Sequence, residues 1–238
     1  VAPDDHRAHW VGPMIIALLG AESTGKTDLV QALELHLRSR GVNALAVPEY
    51  LREWCDTHQR TPHAHEQLHI AHTQTQRIEH AKAQVDVVLA DTTALMTAVY
   101  SEHVFGDRSL YDYAVQQQRR CALTLVTGLD TAWQADGIQR DSPQAREAVD
   151  ALLRCALNDA KIEWSVVYGL GLERVAAAWQ QIEIAITSIA AYADNTLATG
   201  QNGLKNTENK PWVWVCDKCS DPECEHRLFR QAQGLGRD

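Results

Sequence analysis

Met14-Ile15-Ile16-Ala17-Leu18-Leu19-Gly20-Ala21-Glu22-Ser23-Thr24-Gly25-Lys26-Thr27 decides the fold of this chain. Its first half is an unbroken apolar run, the pattern of a strand buried on both faces of a parallel sheet. Its second half spells G-x-x-x-x-G-K-[ST], the phosphate-binding loop. Beyond it Leu29, Val30, Leu33 and Leu37 recur at helical spacing, and Gly41 closes that segment. Phosphate binding requires this order of strand, glycine loop and helix. The two glycines let consecutive backbone N–H groups turn inward, and the helix N-terminus adds partial positive charge. Lys26 then reaches the β- and γ-phosphates of a nucleoside triphosphate, and the Thr27 hydroxyl ligates Mg²⁺. Gly20, Glu22, Ser23, Thr24, Gly25, Lys26 and Thr27 are the expected nucleotide-binding residues, with ATP and Mg²⁺ as the expected cofactors.

Outward from this motif, strands are predicted over 13–19, 43–47, 85–91, 122–126 and 164–168. Helices are predicted over 26–40, 62–84, 110–119, 143–160 and 172–191. Strands alternating with helices predict an α/β fold, a five-stranded parallel sheet with helices on both faces. The expected organisation is an N-terminal tail over 1–12 and a P-loop domain over 13–193. A linker rich in Asn, Thr, Gly and Lys follows over 194–210, then a small Cys/His segment over 211–238.

The chain has 238 residues, 45% hydrophobic and 22% charged, a globular balance with ample core material. A net charge of −9 argues against a nucleic-acid partner, because phosphate backbones are held by clustered Lys and Arg. The longest apolar stretch, 184–193, is interrupted by Thr187 and Ser188 and is too short to span a bilayer. No charged-then-apolar leader is visible in residues 1–10. The expectation is a cytoplasmic protein acting on a small molecule, with no membrane partner.

In open parallel sheets, ligands sit beyond the carboxyl ends of the strands. The second strand ends in Glu49-Tyr50-Leu51-Arg52-Glu53 and the third in Asp91-Thr92-Thr93. Asp130, Trp133, Asp136, Gly137 and Arg140 follow the fourth. Asp91 suits an acid that holds Mg²⁺ through the metal's own ligands, and Glu49 with Arg52 suits a grip on a hydroxyl-bearing substrate. A carboxylate facing the γ-phosphate accepts the proton of the attacking hydroxyl, while positioning and charge neutralisation do most of the work. Arg140 is a candidate for neutralising charge on the transferred phosphoryl. Lys26, Glu49, Asp91 and Arg140 are thus the catalytic candidates.

These residues together resemble a family. Gly20 to Thr27, Glu49-Tyr50-x-Arg52-Glu53, Leu89-Ala90-Asp91-Thr92-Thr93, Tyr100 to Gly106 and Trp133-x-x-Asp136-Gly137-x-x-Arg140 are similar to the ribosylnicotinamide kinase domain of the NadR type. The resemblance spans about residues 13–190. It implies a P-loop NTPase of the nucleoside and nucleotide kinase type. It also implies transfer of the ATP γ-phosphate to the ribose 5′-hydroxyl of nicotinamide riboside, giving nicotinamide mononucleotide. On that resemblance Glu49 is the base or hydroxyl-orienting group and Asp91 the metal-side or ribose-side acid. Tyr50, Arg52, Trp133 and Asp136 join the substrate side, with Trp133 or Tyr50 as stacking surfaces for the base. Bifunctional members carry an adenylyltransferase domain; no His-x-Gly-His signature occurs here, so the chain is not expected to make the dinucleotide. A kinase for another nucleoside or alcohol, and a nucleotide-dependent ATPase or interaction module, are the alternative readings.

Two further clusters stand outside this pattern. His65, His69 and His72 share a helical face that could hold a metal, but no Cys or carboxylate motif frames them, and a solvated or substrate-lid face is expected there. Cys216, Cys219, Cys224 and His226 supply three thiols and an imidazole for a structural tetrahedral Zn²⁺.

Overall fold

The computed structural model describes residues 13–132 and 143–199. Five strands, β1 (Met14–Leu19), β2 (Ala44–Val47), β3 (Val87–Asp91), β4 (Leu123–Thr127) and β5 (Ser165–Val167), form one sheet in the order β2-β3-β1-β4-β5. All four pairings are parallel. Seven α-helices are described: α1 (Lys26–Ser39), α2 (Tyr50–His58), α3 (Gln67–Lys82), α4 (Ala94–Phe105), α5 (Tyr111–Gln118), α6 (Pro143–Asp159) and α7 (Gly171–Thr199).

The continuous apolar run of β1 follows from its central place, where both faces are covered. Met14, Ile16 and Leu18 point to one side and pack with Leu29, Leu33 and Leu37 of α1 and Ala178 and Ile182 of α7. Ala17 and Leu19 point to the other side, toward Leu95 and Val99 of α4 and Val149 and Leu153 of α6. Ile15 joins Val88, Ala90 and Ile78 of α3. Each fully buried Leu or Ile contributes roughly 1.5–3 kcal/mol relative to an exposed one, so β1 anchors both layers. The register places Leu18 beside Asp91, which carries the end of β3 to the mouth of the phosphate loop.

The five strands and the helices α1, α3, α5, α6 and α7 match the sequence reading. Two helices do not. The sequence reading assigned no element to 50–58 or 94–105, where α2 and α4 lie. α4 is buried nearly all round, from Ala94 to Val99, so it lacks the polar face that makes a helix legible. The last helix also runs to Thr199, past the expected end at 191 and into the expected linker over 194–210. Among the described residues, no helix is long and apolar enough to cross a membrane.

Candidate active site

The phosphate loop turns sharply out of β1. Gly20 has φ +142°, and a Cβ there would stand 2.2 Å from Thr127 Oγ1, so only glycine fits between the loop and β4. Gly25, at φ +73°, is the residue before α1 and leads the chain into the helix. The loop is braced from within: Thr24 Oγ1 donates to Ala21 O at 2.8 Å and accepts from Thr127 Oγ1 at 2.7 Å. Lys26 Nζ donates to Ala21 O at 2.8 Å, which folds the ammonium back over the loop.

The carboxyl end of β3 meets this loop directly. β1 and β3 are neighbours, yet the connection after β1 leads to β2 on one side of the pair and that after β3 to β4 on the other. Such a switch point leaves a crevice at the strand ends. Thr27 Oγ1 donates to Asp91 Oδ2 at 2.6 Å, and Asp91 is 2% exposed. Among the described residues Asp91 Oδ1 is buried without a hydrogen-bond partner. An orphaned carboxylate oxygen beside the phosphate-loop hydroxyl fits a hard divalent cation, whose preferred donors are oxygens. Thr27 and Asp91 therefore suit Mg²⁺ as the residues that would hold it.

Glu49, just before α2, faces the same crevice. Thr27, Asp91, Glu49, Arg52, Glu53 and Thr57 are among the residues lining a cleft of about 400 Å³. Arg52 Nη2 lies 3.9 Å from Glu49 Oε2, an exposed arginine on a mostly buried acid. Burial pushes the Lys26 ammonium below its ordinary value; the charges of Glu49, Asp91 and Glu22 work against this, and Arg52 adds to it. Tyr100 of α4 donates its hydroxyl to Glu22 Oε2 at 3.0 Å. Burial, reinforced by the Glu22 and Glu49 charges, drives the Tyr100 phenol well above its ordinary value, so it remains a donor.

Tyr50 opens α2, but Arg77 of α3 lies over its ring at 4.5 Å while forking onto Glu53 at 2.5 and 2.9 Å. One face of the expected stacking surface is therefore occupied. Trp133, Asp136 and Arg140 lie outside the described residues, as do Cys216, Cys219, Cys224 and His226. His65 lies in a 3-10 turn, Ala64–Glu66, that precedes α3, while His69 and His72 are on α3, with His72 against the Tyr113 ring at 4.4 Å; all three are exposed. Among the described residues no group of three or more His, Cys, Asp or Glu side chains is placed to hold a metal by itself.

Sequence reasoning missed Gln74, whose carboxamide is 2% exposed. Its Oε1 accepts from Tyr50 N at 2.8 Å and its Nε2 donates to Thr92 O at 3.4 Å, joining the residues next to Glu49 and Asp91. A polar residue on the apolar stripe of Ile70, Ala71 and Ile78 was the available signal. Asp130 and Arg174, also missed as a pair, carry no such signal.

A family model described as an AAA domain matches residues 15–174, more than half of the chain. The chain belongs to this AAA-domain family. Among solved structures, this AAA-domain protein is similar to the NadR protein in complex with NR, with a TM-score of 0.58 at 18% identity, covering 85% of this chain and 55% of that one. The NadR protein in complex with NAD and AMP-PNP gives 0.55 at 18%, covering 84% and 53%. Thymidylate kinase from Ehrlichia chaffeensis gives 0.49 at 16%, covering 76% and 99%. The chain spans about half the length of the two NadR chains. At this identity the NadR likeness is one of fold alone, a five-stranded parallel sheet carrying a phosphate loop. No curated protein matches the chain.

Proposed function

We propose that this AAA-domain protein is an ATP-dependent phosphotransferase acting on a small-molecule alcohol, the ribose 5′-hydroxyl of nicotinamide riboside. One observation carries the reading: Glu49 lines the same cleft as Thr27 and Asp91, so an acid stands across from the phosphate loop. A nucleotide switch has no need of a carboxylate there. The Asp91 Oδ2 atom is committed to Thr27, which favours Glu49 as the group that receives the hydroxyl proton. The alcohol oxygen bonds to the γ-phosphorus as the bond from that phosphorus to the β–γ bridging oxygen breaks. The proton passes to Glu49, and ADP leaves. Lys26 and the loop N–H groups hold the phosphates, and Thr27 and Asp91 would hold Mg²⁺, which supplies charge neutralisation when bound. The NadR protein similar in fold is bound to NR, which supports nicotinamide riboside as the acceptor.

The test is product analysis of the protein incubated with Mg·ATP and nicotinamide riboside. Nicotinamide mononucleotide and ADP appearing in equal amounts are the expected result. The AAA-domain match favours a second reading, an ATPase without an alcohol acceptor. ADP and inorganic phosphate formed at the same rate with or without acceptor would establish it. A Zn²⁺ bound by Cys216, Cys219, Cys224 and His226 is a separate part of the proposal, checked by metal analysis of freshly purified protein; less than half an equivalent counts against it.

A further inference from the structure

A phosphate loop works only if its N–H groups face the ligand, so its carbonyl groups must face away and find donors in the protein body. Two buried arginines meet that demand. Arg174, in the first turn of α7 and 4% exposed, donates from Nη1 to Thr24 O. Its Nη2 donates to Asp130 Oδ1, while Asp130 Oδ2 accepts from Gly169 N at 2.6 Å. Arg146 of α6, 5% exposed, grips Thr131 through Nη1 to the carbonyl at 2.8 Å and Nη2 to the hydroxyl at 3.2 Å. Thr131 Oγ1 in turn donates to Ser23 O at 2.7 Å.

We propose that Arg174, oriented by Asp130, is a positioning residue that sets the phosphate loop for nucleotide binding; this rests on the kinase reading above. The argument is the planarity of the peptide unit. In a trans peptide the C=O and the following N–H point in opposite directions. A guanidinium pulling the Thr24 carbonyl outward therefore aims the Gly25 N–H into the cradle, and the hold on Ser23 O does the same for the Thr24 N–H. A buried guanidinium is costly unless paired and hydrogen-bonded, and Asp130 supplies the pairing charge. Gly25 contributes from the loop side: a Cβ there would stand 3.3 Å from Arg174 Nη1, so the guanidinium fills the space behind it. Because Asp130 also holds Gly169 at the exit of β5, one ion pair ties the phosphate loop, the exit of β4 and the turn into α7 together. Among the described residues, Arg174, Asp130 and Arg146 are not part of the lining of the cleft that holds Glu49.

The experiment measures Mg·ATP affinity by calorimetry and KM for ATP and for the alcohol, on the full chain. Arg174→Gln and Asp130→Asn should each weaken Mg·ATP binding about tenfold or more, the loss of a charge-assisted hydrogen bond. The KM for the alcohol should stay at the wild-type value, and thermal unfolding should remain well above the assay temperature. Arg174→Lys should recover part of the lost affinity, and guanidinium ion added to Arg174→Ala should recover more than added sodium ion does. Should Arg174→Gln fail to fold, Asp130→Asn, a partly exposed site keeping its shape, carries the same readouts. Wild-type affinity for Mg·ATP in both variants, or a parallel loss of nucleotide and alcohol affinity, overturns the inference while leaving the kinase reading intact. Wild-type protein that binds no Mg·ATP at millimolar concentration overturns both.

Discussion

Thr27 and Asp91 are 64 residues apart in sequence and joined by a 2.6 Å hydrogen bond, the hydroxyl donating to Oδ2 of the acid. Neither β1 nor β3 creates this contact alone. Their parallel register, with Leu18 beside Asp91, brings the acid to the first turn of α1. Asp91→Asn keeps the shape and removes the charge that a cation needs. The expected outcome is a 10–100-fold fall in kcat with a rise in the Mg²⁺ concentration required, the size usual for groups behind a metal's ligands. Titrating Mg²⁺ against rate in the variant checks it; an unchanged Mg²⁺ requirement would remove Asp91 from the cation site.

Glu49→Gln separates proton transfer from phosphate binding. The kcat should drop roughly 10²–10⁴-fold, the range for a lost general base. Calorimetry should still find ATP affinity near the wild-type value, because the loop and Lys26 are untouched. A variant as fast as wild type would move the base role to Asp91.

Lys26→Met should trade activity for stability. Burial lowers the Lys26 pKa, so the folded protein holds that proton less tightly than the unfolded chain does. The sign follows from linkage: the charged ammonium costs stability at neutral pH, and the cost fades as pH rises from the lowered folded value toward 10.5. The ligand-free variant should therefore unfold at a higher temperature than wild type near pH 7, with the gap narrowing toward pH 10. Turnover should be lost at every pH. Calorimetric scans of both proteins across that range check the prediction; a gap that widens with pH contradicts it.

Gly20→Ala should fail for a different reason. Its φ of +142° is unfavourable for any L side chain, and the added methyl would meet Thr127 Oγ1. Backbone strain of this kind costs about 1–3 kcal/mol before the clash is counted. Denaturant unfolding should show at least that loss, and nucleotide affinity should fall with it. A fully stable variant would mean that the loop can leave β4 without consequence.

Much of this could be read along the chain because it is local. An apolar run, two glycines in a set frame and a helix start are properties of neighbouring residues, and they were enough to name the phosphate loop and the strand ends. α4 was missed because the signal that marks a helix is the contrast between its faces, and α4 is buried nearly all round. α2 has that contrast, with Trp54 and Cys55 buried, but it follows β2 so closely that its first residues read as the end of the strand. Gln74 is intermediate: its polar side chain on an apolar stripe marks it as unusual, yet only folding shows which two backbone groups it joins.

The order of residues by itself determined that this chain would turn its backbone around a phosphate, since the needed φ angles and the lysine are written within one short segment. Where the acids stand relative to that segment was decided by the strand order β2-β3-β1-β4-β5, which sets β3 against β1 and brings Asp91 to Thr27. The Arg174–Asp130 clasp likewise exists only in three dimensions, because α7 begins far along the chain from the carbonyl that Arg174 holds. Hydrogen bonds are short-ranged, and a sequence records no distances between residues that folding alone makes neighbours.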